Sequence, residues 1–190
     1  IGDVLKVFLY KDSKDRLIAT TNTPKLQLEQ LAVLEVLEIG KIGAFLDWGL
    51  EKDLFLPFKE MTRKVEPGDE ILVTLYIDKS RRLCATMKGI YDLLSKESPY
   101  KEGDTVQGRV YEFSDNFGTF IAVDDRYSAM IPRHEDCSFL RIGDIIEARV
   151  TKVKPDGKLD LTMRQKAYLQ MNPDAEKVLE IIDEYAGVLP

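Results

Sequence analysis

Cysteine and histidine are both scarce in this chain of 190 residues, which has two cysteines and one histidine. Cys84 and Cys137 form no Cys-x-x-Cys pair, so we expect neither a zinc site nor a disulfide framework, and no cofactor. Cys84 falls on an alternating strand, which predicts a buried apolar side chain. Nucleophilic catalysis of the Ser-His or Cys-His kind needs a histidine beside the nucleophile, and the single histidine, His134, lies in a predicted loop with no candidate nucleophile at a telling position. We therefore expect a protein that is not an enzyme.

Long apolar runs and an excess of positive charge are lacking as well. No run approaches the length of a membrane span, and the first residues show no signal-peptide pattern, so we expect a cytoplasmic protein without a membrane partner. The chain has 27 basic and 33 acidic residues, for a net charge of −6. Strong binders of duplex phosphate are usually basic. This composition argues against high-affinity duplex binding and leaves weak binding led by base stacking open.

A short pattern occurs three times at nearly one spacing. Each copy has Gly-Asp, then an alternating apolar strand, a polar turn and finally Leu-x-x-Thr, and the copies run over residues 2–20, 68–86 and 143–162. A strand, a polar turn and a second strand form a β-hairpin. A hairpin repeated in this way indicates duplicated modules.

Two of the three hairpins are preceded by further predicted strands. These are the alternating runs 33–39 and 106–113, the Gly-x-Phe segments that begin at Gly43 and Gly118, and the short runs that end at Pro57 and Pro132. Five strands in this order predict a closed barrel, so the fold class is all-β with tandem five-stranded barrels. The first copy has only the last two strands, and residues 1–25 are expected to be the C-terminal hairpin of a truncated module. Its open strand edges favour either a dimer or a contact with the module that follows it in the chain.

The later strands carry a specific resemblance. The chain closely resembles the ribosomal protein S1 domain, an OB-fold that binds single-stranded RNA, through five ordered elements: Gly108-x-Val110-x-x-Phe113, Asn116-Phe117-Gly118-Thr119-Phe120-Ile121, Ile131-Pro132, Gly143-Asp144-x-Ile146-x-Ala148-x-Val150 and Lys158-Leu159-Asp160-Leu161-Thr162. The same order occurs twice, which is more specific than any one element. The resemblance implies S1-like OB-fold domains over residues 26–92 and 100–166, with single-stranded RNA as the partner.

The end of the chain is predicted to be a short helix over residues 167–190. Asn172 can cap it, Pro173 fits the first turn and Gly187 ends it. The tandem barrels followed by this helix resemble bacterial virulence regulators that have several S1-like domains and then a winged-helix domain. That resemblance implies a helix leading toward a winged-helix domain absent from the chain, and a role in post-transcriptional control of gene expression.

The candidate binding face is predicted from strand alternation and from the resemblance. Side chains alternate faces along a strand, which predicts a core of Val110, Phe113, Ile121, Val123, Ile146, Ala148 and Val150. Phe117 and Phe120 then fall where S1 domains carry the aromatic rings that stack on bases. The cations expected outward or within reach are Arg149, Lys152, Lys154, Arg109 and Arg126. Both modules have Pro57 or Pro132 where the family has a histidine, and His134 is the candidate to replace it.

The middle module is a weaker candidate. It has Phe45 at one stacking position but Ile42 at the other, and Lys41 lies in a hairpin turn where it can reach phosphate. Trp48 is predicted to be in the core. The outward Leu72 indicates a barrel that packs against another module or a protein partner. The alternative function is therefore a protein-interaction scaffold built from degenerate S1 domains.

Overall fold

The structure, a computed structural model, describes residues 2, 4–12, 14 and 16–163, and these residues form mostly strands. An N-terminal hairpin is followed by five strands, a one-turn helix and five more strands: β1 (Phe8–Lys11), β2 (Leu17–Thr20), β3 (Leu31–Ile39), β4 (Gly43–Asp47), β5 (Leu54–Pro57), β6 (Glu70–Ile77), β7 (Leu83–Thr86), α1 (Ile90–Leu93), β8 (Thr105–Ser114), β9 (Gly118–Val123), β10 (Tyr127–Pro132), β11 (Ile145–Val153) and β12 (Leu159–Thr162). No helix among these residues is long and apolar enough to cross a bilayer.

The last five strands form a closed barrel. Its strand order is β10-β12-β11-β8-β9, and the sheet closes through β9 against β10. All its pairs are antiparallel except β10 with β12, which run parallel. This is the strand order of an OB-fold. We call β8 to β12 the second barrel.

Strands β3 to β7 repeat this order as β5-β4-β3-β6-β7, and β5 lies against β7, so that this first barrel is nearly closed. The predicted all-β fold with two five-stranded barrels is therefore confirmed. The predicted helix over residues 167–190 lies outside the described residues.

Each barrel has its own core, made of the inward side chains that alternation predicts. The second core includes Val110, Ile121, Val123, Ile146, Ala148 and Val150, as expected. Phe113 is an error in the prediction, because its side chain is 44% exposed. The bulge between Val110 and Glu112 brings Phe113 to the same face as Val110, opposite Thr119, because residues three apart would otherwise lie on opposite faces. Phe113 lies one pair from the end of β8, however, and its side chain lines an open groove there instead of the core.

The N-terminal hairpin packs on the first barrel. The rings of Phe8 and Tyr10 meet the Trp48 ring edge-on, with centroids 5.9 and 6.1 Å away. The Trp48 indole nitrogen donates a hydrogen bond to the carbonyl of Lys52 at 2.5 Å. The prediction that Trp48 is a core residue is confirmed. The sequence left two possibilities for the hairpin, a dimer or a contact with the next module. The structure shows the contact with the next module, the first barrel.

A third apolar cluster joins the two barrels. Leu72 of the first barrel is buried together with Ile90 and Leu94 of the α1 segment and with Tyr111 and Ala122 of the second barrel. The expectation that Leu72 packs against another module is confirmed. Burial raises the pKa of the Tyr111 hydroxyl, as expected for a phenol at an apolar interface.

A buried ion pair reinforces the junction. Arg109 on β8 is 7% exposed, and its guanidinium donates to both carboxylate oxygens of Asp125 at 2.8 and 3.2 Å. The third donor, Nη1, reaches the carbonyl of Glu70 in the first barrel at 3.2 Å. A buried guanidinium is stable only while its charge is paired. Asp125 therefore holds the side chain that hydrogen-bonds across to the first barrel.

Asp125→Asn is expected to lower the free energy of unfolding by about 1–2 kcal/mol, because the buried guanidinium loses its counter-charge but keeps an acceptor. Asp125 has a positive φ of 53°, a conformation that Asn tolerates well. Urea denaturation measures the change. The matched control is Asp124→Asn, at a neighbouring position with the same φ of 53° and an exposed side chain. Equal stability losses in the two variants would contradict a special role for the pair with Arg109.

Both cysteines are free thiols. Cys84 is buried, as predicted, and burial raises the pKa of its thiol to about 11. Cys137 is half-buried, and burial raises its thiol pKa as well. Within the described residues, no group of three or more histidine, cysteine or acidic side chains is placed to hold a metal ion.

Candidate nucleic-acid interface

One row of side chains runs across the outside of the second barrel. The register places Glu112 opposite Phe120, Phe120 opposite Met130, Met130 beside Asp160 and Asp160 opposite Lys152. Phe120, Met130 and Asp160 alternate with core residues along their strands and therefore point outward, and Glu112 and Lys152 are exposed and stand opposite members of the same row. The row crosses all five strands. Phe120 lies near one end and Lys152 at the other.

A groove of about 520 Å³ follows the aromatic part of this row. Its walls are formed by three strands (β8, β9 and β10), the turn before β9, the α1 helix and the turn before β12; the lining residues are Tyr91, Glu112, Ser114, Phe117, Phe120, Ser128, Ala129, Met130, Lys154 and Lys158. Phe117 is 63% exposed. Its ring centroid lies 6.5 Å from that of Phe120, with the two ring planes inclined by 55°. The two predicted stacking residues therefore lie together in one open groove.

Gly118 allows the backbone turn that presents Phe117. Its φ is +125°, and a Cβ built there would lie 2.2 Å from the carbonyl oxygen of Ile131 on β10. Only glycine combines that dihedral with so close an approach. The neighbouring backbone is held by a hydrogen bond from the amide of Arg133 to the carbonyl of Phe117 at 3.1 Å. The conformation of Phe117 is thus fixed by β10 as well as by its own turn.

Both lysines of the groove are paired with carboxylates, and Glu112 adds a further carboxylate to its lining. Lys154 Nζ lies 2.8 Å from Asp160 and 3.5 Å from the Met130 sulfur, and Lys158 Nζ lies 2.9 Å from Asp156. The Tyr91 hydroxyl and the Asp156 carboxylate raise the pKa of Lys158. Both ion pairs are partly exposed, and ion pairs near the surface contribute little to stability, so an incoming phosphate can compete for these ammonium groups. Apolar and aromatic surface, not positive potential, dominates the groove.

Tyr91 is a lining residue that the sequence analysis missed. It lies on α1, between the barrels, and its ring meets Phe120 edge-on at 5.6 Å and 74°. The sequence did contain a signal for this residue. In the segment Ile90-Tyr91-Asp92-Leu93-Leu94, the apolar residues indicate a buried connector, and Tyr91 is the aromatic residue within it.

The other predicted residues are more scattered. Lys152 is exposed at the far end of the row, whereas Arg149 is half-buried beside Thr105 and Thr162, with its Nε buried and without a hydrogen-bond partner among the described residues. Arg126 lies at the β9–β10 turn, with its guanidinium carbon 5.4 Å from the centroid of the Tyr127 ring. His134 is exposed in the loop after β10. Arg109 lies in the junction with Asp125 and lines no part of the groove.

The first barrel has a corresponding face. Phe45 is half-buried and pairs across the strands with Phe55, whose ring centroid is 5.4 Å away. Phe55 stands at the position that Met130 occupies in the second barrel, so this barrel has a second aromatic ring that the sequence analysis did not count. A groove of about 430 Å³ contains both rings and the exposed Ile42. Lys41 is exposed in the predicted turn, which Gly40 and Gly43 close with a 2.8 Å hydrogen bond.

Two family models match the chain. The S1 domain matches residues 1–22 and 30–88. The second domain of virulence regulatory factor CvfB matches residues 92–165. Together they cover the N-terminal hairpin and both barrels.

Curated relatives match over the whole chain. Conserved virulence factor B of Staphylococcus epidermidis and that of Staphylococcus haemolyticus are each 23% identical, over 198 and 197 residues. The chain spans 66% of the length of these relatives. Among solved structures, a multidomain protein with nucleic acid binding domains from Streptococcus pneumoniae TIGR4 superposes with a TM-score of 0.60 at 22% identity, over 100% of this chain and 70% of that one. The chain thus resembles the conserved virulence factor B proteins along its entire length, with an S1 domain match over the N-terminal hairpin and first barrel and a CvfB second-domain match over the second barrel.

Proposed function

We propose that this chain binds single-stranded RNA in the groove of the second barrel, with bases stacked on Phe117 and Phe120. The observation that carries the proposal is the exposed Phe117 ring, held 6.5 Å from Phe120 in an open groove lined by Lys154 and Lys158. OB-folds bind single strands by this combination of aromatic rings and nearby cations. Lys154 lines the groove and Lys152 lies in the same row, so both are assigned to phosphate contacts, whereas Arg149, Arg126 and His134 line no part of the groove.

The affinity of one barrel is expected to be modest. Stacking contributes about 1–3 kcal/mol per base, and ordering of the strand reduces that gain. Two stacked bases gain roughly 2–6 kcal/mol, less than the roughly 8.2 kcal/mol of a micromolar complex, so a two-ring groove with paired lysines should bind in the micromolar range or more weakly. The first barrel can add a weaker contact through Phe45, Phe55 and Lys41. Linking two such sites raises the apparent affinity without new contacts, because the second binding event becomes intramolecular.

The biological role that fits this chemistry is post-transcriptional control of gene expression. The matching S1 domain and the nucleic acid binding domains in the name of the structural neighbour support a nucleic-acid-binding regulator. The relatives named conserved virulence factor B support virulence genes as the regulated class. The acidic balance of the chain argues against a duplex as the target and is compatible with weak, stacking-led binding of a single strand.

Fluorescence anisotropy of labelled oligouridylate, titrated at several salt concentrations, tests the proposal. Each phosphate contact on a single strand contributes roughly −0.7 to the slope of log K against log salt. If Lys152 and Lys154 each contact one phosphate, the slope is expected to be roughly −1.4. Lys152→Gln should reduce the slope by about half. An oligodeoxyuridylate competitor measures the preference for RNA over DNA.

Absence of binding at high protein concentration would favour the alternative, a protein-interaction scaffold. The structure already weakens one argument for that alternative, because Leu72 is buried in the junction between the barrels and needs no further protein to cover it. A steep salt dependence with no effect of the aromatic residues would also contradict stacking in this groove.

A further inference from the structure

The α1 segment presents two opposite surfaces. Ile90 and Leu94 are each 3% exposed and pack with Leu72 and Tyr111 in the junction cluster. Tyr91 projects away from that cluster into the groove and is 37% exposed. The apolar residues therefore anchor a short segment whose aromatic residue belongs to the surface of the second barrel. This places a side chain from between the barrels in the candidate RNA site.

The contacts of Tyr91 hold its ring at the end of the groove. One neighbour is Phe120, which it meets edge-on with centroids 5.6 Å apart. The other is Lys158, whose Nζ lies 5.2 Å from the centroid of the Tyr91 ring. A ring fixed by an aromatic neighbour and a cation, yet partly exposed, loses little entropy when a base stacks on it. Lys158 then stands where the next phosphate of a bound strand can reach it.

We propose that Tyr91 supplies a third base-stacking surface in this groove, and that docking of the two barrels is what places it there. The inference rests on the RNA binding proposed above. The Tyr91 and Phe120 rings are inclined by 74°, so a strand that stacks on both must turn between them. A single strand can make that turn, whereas the bases of a duplex stay parallel. The geometry thus favours a single strand bent across the junction.

The second part of the proposal follows from how α1 is held. Leu72 lies outside the core of the first barrel and is buried only in the junction cluster. If docking positions Tyr91, then RNA that contacts Tyr91 binds the docked arrangement more tightly than the separated one. By linkage, RNA then stabilises docking by the same factor. The two barrels and their connector act as one binding unit rather than as independent modules.

Tyr91→Ala and Tyr91→Phe test the stacking role, with labelled oligouridylate as the probe. Tyr91→Ala is expected to weaken binding at least about fivefold, because a stacking ring is lost. Tyr91→Phe should bind within about twofold of the parent chain, since the ring remains. Thermal unfolding should be nearly unchanged in both. If Tyr91→Ala binds like the parent while Phe117→Ala with Phe120→Ala loses tenfold, the inference fails and the proposed function stands. If neither change affects binding, the proposed function fails as well.

Leu72→Asp tests the docking role. A carboxylate cannot be buried unpaired in the apolar cluster, so the barrels are expected to separate while each barrel core stays intact, as checked by circular dichroism. RNA affinity should fall by about the same factor as in Tyr91→Ala. The double variant should show no further loss, because the two changes remove the same interaction. Additive losses would overturn the claim that docking positions Tyr91. Tyr91→Ala still decides the stacking role if Leu72→Asp fails to fold.

Discussion

Phe117→Ala combined with Phe120→Ala is expected to weaken binding of single-stranded RNA at least tenfold. Both rings line the groove of the second barrel, and each stacked base contributes about 1–3 kcal/mol. Loss of both exceeds the 1.4 kcal/mol that corresponds to a factor of ten. Fluorescence anisotropy with labelled oligouridylate measures the change.

The rings of Phe117 and Phe120 differ in how much they contribute to the packing of the protein. Phe120 packs against the junction cluster and its ring lies 6.1 Å from that of Tyr111, so removing it also costs stability. Phe117 is mostly exposed, and Phe117→Ala alone should weaken binding about fivefold with little change in the unfolding midpoint. Comparing single and double variants therefore separates the loss of stacking from the loss of packing.

Phe139→Ala is the matched control. Phe139 is also 63% exposed, on the same barrel, but it lies outside the groove. Its removal should leave RNA binding unchanged. Phe45→Ala in the first barrel should produce a smaller loss than the double variant. If the double variant binds like the parent chain, the assigned face is refuted, whatever Phe45→Ala does.

The strand order and the pair Phe117 and Phe120 were predictable from sequence because their signals are local. Alternation defines each strand, and Gly-Asp with Leu-x-x-Thr marks each final hairpin. Gly118, between the two phenylalanines, indicates a backbone conformation that residues with a side chain rarely adopt. The structure places both rings in one groove, while their contact with RNA stays a prediction. Trp48 was assigned correctly for the same reason, since it falls on the inward side of its strand.

The remaining features depend on contacts between distant segments. Phe113 was assigned to the core because nothing in the sequence shows that it lies at the end of the barrel, where it lines an open groove with Thr119 and Leu140. Arg109 looked available for RNA because local sequence shows neither its ion pair with Asp125 in the same barrel nor its hydrogen bond to Glu70 of the first barrel. Tyr91 was missed because it lies outside the repeated module. Only the packing of Ile90 and Leu94 brings it to the groove. Pairwise contacts across the junction therefore decide which side chains are available for binding.

Gly118→Ala is expected to lower the free energy of unfolding by at least about 3 kcal/mol. A backbone at φ +125° is strained by about 1–3 kcal/mol for any residue with a side chain. The added Cβ would also lie 2.2 Å from the Ile131 carbonyl oxygen and 2.7 Å from the Arg133 nitrogen, so β10 has to move. Urea denaturation, followed by circular dichroism, measures the loss.

Substitutions at two other glycines of the same barrel separate the dihedral strain from the steric clash. Gly103 has a φ of +96° with no atom within 4 Å of the added Cβ, so Gly103→Ala reports the dihedral strain alone. Gly108 has no such dihedral, but its Cβ would lie 2.3 Å from Ile121 Cγ2, so Gly108→Ala reports the steric contact with a movable side chain. Gly118→Ala should cost more than either variant, because it combines strain with a clash against fixed backbone. A cost no greater than that of Gly103→Ala would contradict the close approach of β9 to β10.

The same substitution links the fold to the binding face. Pro132 stands opposite Gly118 in the register, and the Arg133 amide donates to the Phe117 carbonyl. Moving β10 away from Gly118 breaks that hydrogen bond and releases the turn that presents Phe117. At a temperature where Gly118→Ala is still folded, RNA binding should fall by at least the factor seen for Phe117→Ala. Full affinity in the folded variant would show that the rings can stack on RNA without the fixed turn. The groove would then be an adaptable surface rather than a preformed one.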